Sequence, residues 1–310
     1  MGQGGLMPVA DAARRTRRST TGRRVWHFLS FGGPGTAVYV CFVLAPILIS
    51  AGYSLTNYNP FRGESRFVGF DNYRMLLADE EFLTSLRVTT ILTVLVVVVP
   101  NVLGLAIAVL LDRRSWLFNG LRTVFFIPIV LSSVVVSVIW TRLLDDEGLI
   151  NQTLRALGVA EPPGWLSDPG YALYSLAGIL SWQMLGFCVV IYLAGLQHVP
   201  VELLEAAAID GAGPVRRFWR ITWPLLAPAL TINTVILLIS AFKIFDHVQI
   251  ITRGGPGTGT TATIAYTVLQ TGFVANRQGY ASAMAIVMLL LIATASGVAL
   301  KLLQRREVDL

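Results

Sequence analysis

Charge is scarce in this chain: Asp, Glu, Lys and Arg make up 14% of its 310 residues, joined by only three histidines and two cysteines. Two cysteines exclude a disulfide framework and a thiolate-built metal centre. Both, Cys41 and Cys188, fall in apolar stretches, where a thiol behaves as a small hydrophobe. His27, His198 and His247 are scattered along the chain and mark no metal cluster. The pattern G-x-x-x-x-G-K-[ST] is missing, which excludes ATP binding by a P-loop. The Gly-rich run GGPGTGT at 254 to 260 lacks the lysine and reads as a turn. The long uncharged stretches hold neither histidine nor carboxylate, so a nucleophile and base on facing helices are lacking and nothing points to an enzyme.

What replaces charge is hydrocarbon. Hydrophobic residues are 54% of the chain and the mean hydropathy is +0.65, the composition of a membrane protein. Six uncharged windows are long enough to cross about 30 Å of hydrocarbon as a helix. They are 34 to 56, 88 to 111, 123 to 141, 171 to 196, 221 to 242 and 279 to 300. None alternates with period two, which excludes a barrel. The fold class expected is therefore all-α, a polytopic membrane protein with six transmembrane helices over 34 to 303. A seventh window, 254 to 276, opens with polar turn residues; its apolar remainder, Ala262 to Ala275, has the length of a surface or re-entrant helix and is rejected as a span.

With six spans the termini share a side, and the segments on that side carry 15 of the 24 Lys and Arg residues. That bias places both termini in the cytoplasm. The basic tail 1 to 33, with RRTRRSTTGRR, fixes orientation and touches anionic lipid; a short tail, 304 to 310, closes the chain. Nucleic-acid binding is a weak reading of the pI of about 9.6, because no aromatic residues accompany the arginines. On the outer side, Phe70, Tyr73, Leu76 and Leu77 predict an interfacial helix before span two. Asp145, Asp146 and Glu147 form a solvated face rather than a cation site, and Trp165 is expected at headgroup level.

The cytoplasmic loop 197 to 222 holds most of the order outside the spans. Pro200 can open a short helix, Glu202 and Glu205 complement its positive end, and Gly211 closes it. Pro214 starts a second helix, PVRRFWRIT. The first offers Leu203, Leu204, Ala207 and Ala208; small residues admit the groove of another protein, whereas a helix lying on lipid gains more from bulky ones. Docking is therefore read ahead of lying on the membrane surface.

The spacing Glu205-Ala206-Ala207, Gly211, Ile221, Pro224 resembles the EAA signature of binding-protein-dependent ABC importer permeases, with Trp223 where leucine is usual. Asp210-Gly211-Ala212, SLTNYNPF, FVGFDNY, GLRTVFFIPIVLSSVVVSVIW, TRGGPGTGTTAT and QGYASAMA extend the resemblance along the chain, toward the carbohydrate-uptake (MalF/UgpA) type. It implies a type I importer permease fold in a bacterial inner membrane and a coupling role for Glu205, Ala206, Ala207, Asp210, Gly211 and Ile221, to which the docking face of the first helix adds Leu203 and Leu204. It also implies a second, MalG-like permease subunit, an ATP-binding subunit dimer that holds ATP and Mg, an extracytoplasmic solute-binding protein, a sugar substrate, and no cofactor on this chain.

Polar groups in hydrocarbon mark pathways. Gln183 and Phe187, then Ser240, Phe242, Lys243 and Asp246, offer the hydrogen bonds and ring faces that a sugar needs. Lys243 and Asp246 equally fit an interfacial i, i+3 ion pair. A stand-alone secondary transporter is the rival function.

Overall fold

The computed structural model describes residues 32–62, 65–112 and 116–305. The basic tail, but for 32 and 33, and the C-terminal tail, but for 304 and 305, lie outside them. Contacts divide the chain at Gly52 into two units, the first ending there and the second starting at Tyr53.

The first unit contains most of α1 (Gly32–Ser54), which widens into a π-helical stretch at Val40–Leu44 just before Pro46. Pro46 has no N–H to give, and a local π bulge is a usual way for a helix to absorb such a fault.

In the second unit, α2 (Asp71–Ala78) occupies the stretch read as an interfacial helix. It leads at once into α3 (Glu80–Leu111), 32 residues long and starting eight residues ahead of the predicted window. The start is set by Asp79, whose carboxylate accepts from Glu81 N and Phe82 N; Glu80 and Glu81 add favourable charge at the dipole's positive end. The window at 123 to 141 is not one straight span. It is α4 (Trp116–Val130) and α5 (Ser133–Leu143), meeting at 99°. Pro128 lies one turn before the bend, and Ser132 caps α5 by accepting from Val134 N at 3.3 Å.

α6 (Leu149–Ala156) follows in the next loop, which is pinned by Asn151: it donates to Asp146 O and Pro163 O and accepts from Trp165 Nε1. The acidic run is absorbed here. Asp146 accepts from Ser167, Glu147 pairs with Arg155, and among the described residues no group fit for a metal ion exists.

α7 (Pro169–Gln197) starts at an Asp168 cap with Pro169 at its first position. It is the most enclosed long helix, with 61% of its apolar window buried. Hydrocarbon tails are as apolar as leucine, so helices in a membrane associate through close packing and polar contacts. Both occur here: a side chain on Gly104 of α3 would stand 2.6 Å from Cys188 Cβ, and one on Gly186 would collide with the Phe125 carbonyl of α4. Tyr192 donates to Asn101 Oδ1 at 2.7 Å beside Pro100.

After α8 (Val201–Ile209) come α9 (Pro214–Leu225) and α10 (Ala227–Phe242), inclined by 60° at Leu226. The predicted span 221 to 242 thus begins on a separate helix, and α10 itself has only 16 residues. α11 (Ile264–Val274) fills the rejected seventh window, and α12 (Gln278–Gln304) ends the described chain. Its start is locked by Gly279 N donating to Tyr58 O and by the Tyr280 hydroxyl on Asp79. Four helices are long and apolar enough to span unbroken; with each bent pair as one span there are six.

Candidate functional site

Two places gather the residues singled out in the sequence. The first is where α10 stops. Lys243 is its C-cap, and the chain then makes a π turn at Val248–Thr252 and reverses through Arg253, Gly254 and Gly255, all at positive φ. Threonines close the reversal: Thr261 donates to Thr252 Oγ1 at 2.7 Å and Thr263 to Ile244 O at 2.7 Å. Ile264 N reaches across to Thr89 Oγ1 of α3 at 2.9 Å. The Gly-rich run is therefore a structural turn. A Cβ on Gly255 would strike Thr260 Oγ1.

Beside this turn lies a cavity of about 160 Å³ lined from α3, α5, α7 and the end of α10 with the residues after it: Val96, Ser133, Met184, Ser240, Lys243 and Asp246 are among its walls. Three of the six residues proposed for the pathway, Ser240, Lys243 and Asp246, meet there. Phe187 and Phe242 do not line it. Lys243 and Asp246 are both exposed, and among the described residues they form no ion pair; the helix that would have set them at i, i+3 ends at Phe242.

Gln183 stands behind the wall, 3% exposed. Its Nε2 donates to Leu131 O at 3.2 Å, the carbonyl left over where α4 breaks from α5, and its Oε1 faces His247 Nε2 at 2.8 Å. Leu131 O can only accept, which fixes the amide orientation, so His247 Nε2 must be the donor. His247 is itself buried, five residues past the end of α10. Gln183 thus ties the break in the third span to the turn after the fifth. Met184 and Ser133 were missed in the sequence because an apolar thioether and one serine among many carry no distinguishing pattern.

The second place is the α8 to α9 loop. α8 has nine residues and none is buried. Its end is a left-handed stop: Gly211 has φ +75°, Gly211 N bonds Ala208 O and Ala212 N bonds Ala207 O at 2.9 Å. Pro214 then opens α9, and Arg217 Nη1 ties the two helices by donating to Leu204 O. Leu203, Leu204, Glu205, Ala206, Ala207, Asp210 and Gly211 come together on this one element. Ile221 is half-buried on α9.

The family described as "Binding-protein-dependent transport system inner membrane component" matches residues 101–308. The chain is 34% identical to the "Probable starch degradation products transport system permease protein AmyD" of Thermoanaerobacterium thermosulfurigenes, over 92% of this chain and 96% of that one. It is 33% identical to the diacetylchitobiose uptake system permease protein NgcF of Streptomyces coelicolor, over 91% and 83% respectively. A chain of the crystal structure of a bacterial ABC transporter involved in the import of the acidic polysaccharide alginate superposes with a TM-score of 0.81 at 21% identity, covering 93% of this chain and 99% of that one, and so shares its fold. A type I importer fold, a family match over two thirds of the sequence and relatives matched almost end to end agree: the chain belongs to the binding-protein-dependent transport system inner membrane components, as a permease component without chemistry of its own.

Proposed function

We propose that this chain is one of two permease subunits of an ATP-driven sugar importer, and that α8 is the element through which the ATPase subunits drive it. The observation that carries the reading is α8 itself: a helix of nine residues with no buried side chain, closed on both sides by Pro and Gly signals, presenting Glu205, Ala206 and Ala207. A helix that keeps no side chain fully buried in its own chain, and whose ends are fixed by Pro and Gly, is suited to a partner's groove. The Lys and Arg bias supports placing α8 and both termini in the cytoplasm. ATP and Mg then belong to the ATPase pair, and a solute receptor works on the other face. The names of the relatives, starch degradation products and diacetylchitobiose, support a saccharide as the solute. The cavity of about 160 Å³ is smaller than the roughly 300–1,000 Å³ of complete small-molecule sites. We take it as half of a pathway whose other half is the second permease.

The test is Gly211→Val. Open space surrounds the Gly211 Cα, but φ +75° strains any branched residue there. Uptake by the variant should fall at least tenfold while the protein stays in the membrane at its normal level and the ATPase subunits no longer co-purify. Normal uptake would overturn the coupling role. A chain that purifies without any ATPase even as the wild type would favour a stand-alone carrier.

A further inference from the structure

We propose that the exposed face of α9 is a binding site for an anionic phospholipid, with the lipid phosphate on Arg216 and Arg220 and the start of an acyl chain along Val215 and Trp219. The proposal rests on the cytoplasmic placement of the α8 to α9 loop given above. A groove of about 520 Å³ runs along this face, lined by Gly213, Pro214, Val215, Arg216, Trp219 and Arg220. Its apolar part is large and open: Val215 is 73% and Trp219 59% exposed. Its two guanidinium groups are four residues apart and exposed, and among the described residues neither takes part in an ion pair. Arg217 is directed elsewhere, to Leu204 O.

Charge complementarity selects the ligand. From Gly211 to Phe242 the sequence holds three arginines and no acid. A guanidinium presents paired donors that match a phosphate, and the inner leaflet is the nearest surface rich in phosphate with net negative charge. The aromatic residues select the depth. Trp219 is edge-stacked between Phe218 at 5.4 Å and Trp223 at 5.9 Å, and its indole and that of Trp223 are amphipathic rings of the kind that settles at headgroup level. The 60° bend at Leu226 turns α9 away from the direction of α10, as a helix lying in the interface must turn from one crossing it. The contrast with α8 argues that the two helices face different partners: α8 exposes Glu202 and Glu205 and no cation, whereas α9 exposes an indole and two long cationic side chains. Lipid held on α9 would set the level at which α8 is presented, since Gly211 to Gly213 and the Arg217 bond join the two.

The experiment uses the assembled importer in nanodiscs of phosphatidylcholine with or without phosphatidylglycerol. Each arginine facing an anionic surface contributes about fivefold in affinity, so R216Q/R220Q should weaken phosphatidylglycerol association roughly 25-fold. Two readouts are expected. Brominated phosphatidylglycerol quenches the wild-type tryptophan emission more than brominated phosphatidylcholine does, and this excess is lost in Trp219→Phe and shrinks in R216Q/R220Q. Phosphatidylglycerol raises ATPase turnover of the wild type but not of R216Q/R220Q, while the two agree in pure phosphatidylcholine. Soluble glycerol phosphate or inorganic phosphate added to phosphatidylcholine discs should not substitute; restoration by either would overturn the lipid assignment in favour of a free-anion site. An unchanged phosphatidylglycerol response in the double variant, or loss of the ATPase subunits from it, would overturn the proposal; the latter would make α9 part of the protein interface. Quenching needs no ATPase activity, so it still reports on lipid if the coupling role of α8 fails.

Discussion

Gln183 shows how a residue chosen for one reason can turn out to be placed for another. A glutamine in a span suggests a solute contact, yet this one is buried and spends both ends of its amide on the protein, on Leu131 O and His247. Gln183→Leu would leave a buried carbonyl and a buried imidazole N–H unpaired, each costing about 1–3 kcal/mol. The complex should lose thermal stability on that scale, and Gln183→Glu, which keeps an acceptor for His247 but not the donor for Leu131, should lose part of it. Stability equal to wild type in both would show the clamp to be idle. Gly186 makes a parallel case through sterics. Its missing side chain is filled by the Phe125 backbone, which cannot swing aside as a side chain does, so Gly186→Ala should cost roughly 1–3 kcal/mol in the same assay. Neither role was readable from the sequence. Leu131 and His247 are 52 and 64 residues from Gln183, and no local spacing encodes a contact between separate helices. Ser240, Lys243 and Asp246, which line one cavity, could be singled out beforehand because charge and hydroxyls at the end of an apolar run are conspicuous on their own.

At the scale of the element, the apolar windows were legible because a helix in lipid must exclude charge over about 20 residues, a signal contained within each segment. Direction is not in that signal. The 123 to 141 window kept its apolarity through a 99° bend, since the Leu131–Ser132 break uses a serine cap and a proline that cost hydropathy little. The short helices of the α8 to α9 loop were legible for the opposite reason: Pro200, Gly211 and Pro214 act through their own backbone chemistry, within a turn of where they stand. The bend makes a prediction. If Ser132 sets the start of α5, Ser132→Ala removes a cap worth about 1 kcal/mol, and hydrogen exchange at the Val134 amide should quicken about fivefold without change in the rest of α5. Unaltered exchange would assign the bend to packing against α7 alone.

For the whole molecule, the length of α10 bears on where the solute passes. Sixteen residues rise about 24 Å, short of the roughly 30 Å of hydrocarbon. Where the outer end of the span makes up the shortfall, Lys243 and Asp246, which follow it, stand within or at the edge of the membrane, and both are exposed on this chain. Charges facing lipid at depth cost about 2.5–3.5 kcal/mol each, so this surface has to be covered by water or by another protein. The cavity beside it, lined by Ser240 as well, fits the proposed function, in which half of a wet pathway would satisfy the charges and a second permease would complete the wall. A cysteine at Ser240, in a chain whose own Cys41 and Cys188 are replaced by serine and alanine, should react with a small water-soluble maleimide in the assembled importer. Solute delivered by the receptor should slow that reaction, and trapping the ATPase subunits closed with a non-hydrolysable nucleotide should change its rate. In the same assay Lys243→Gln should alter the order in which neutral and anionic saccharides protect, by about fivefold for the anionic ones, because a cation at an aqueous wall acts on charge before shape. If Ser240→Cys is inert in every state, or reacts at one rate regardless of solute, the pathway does not run beside the end of α10.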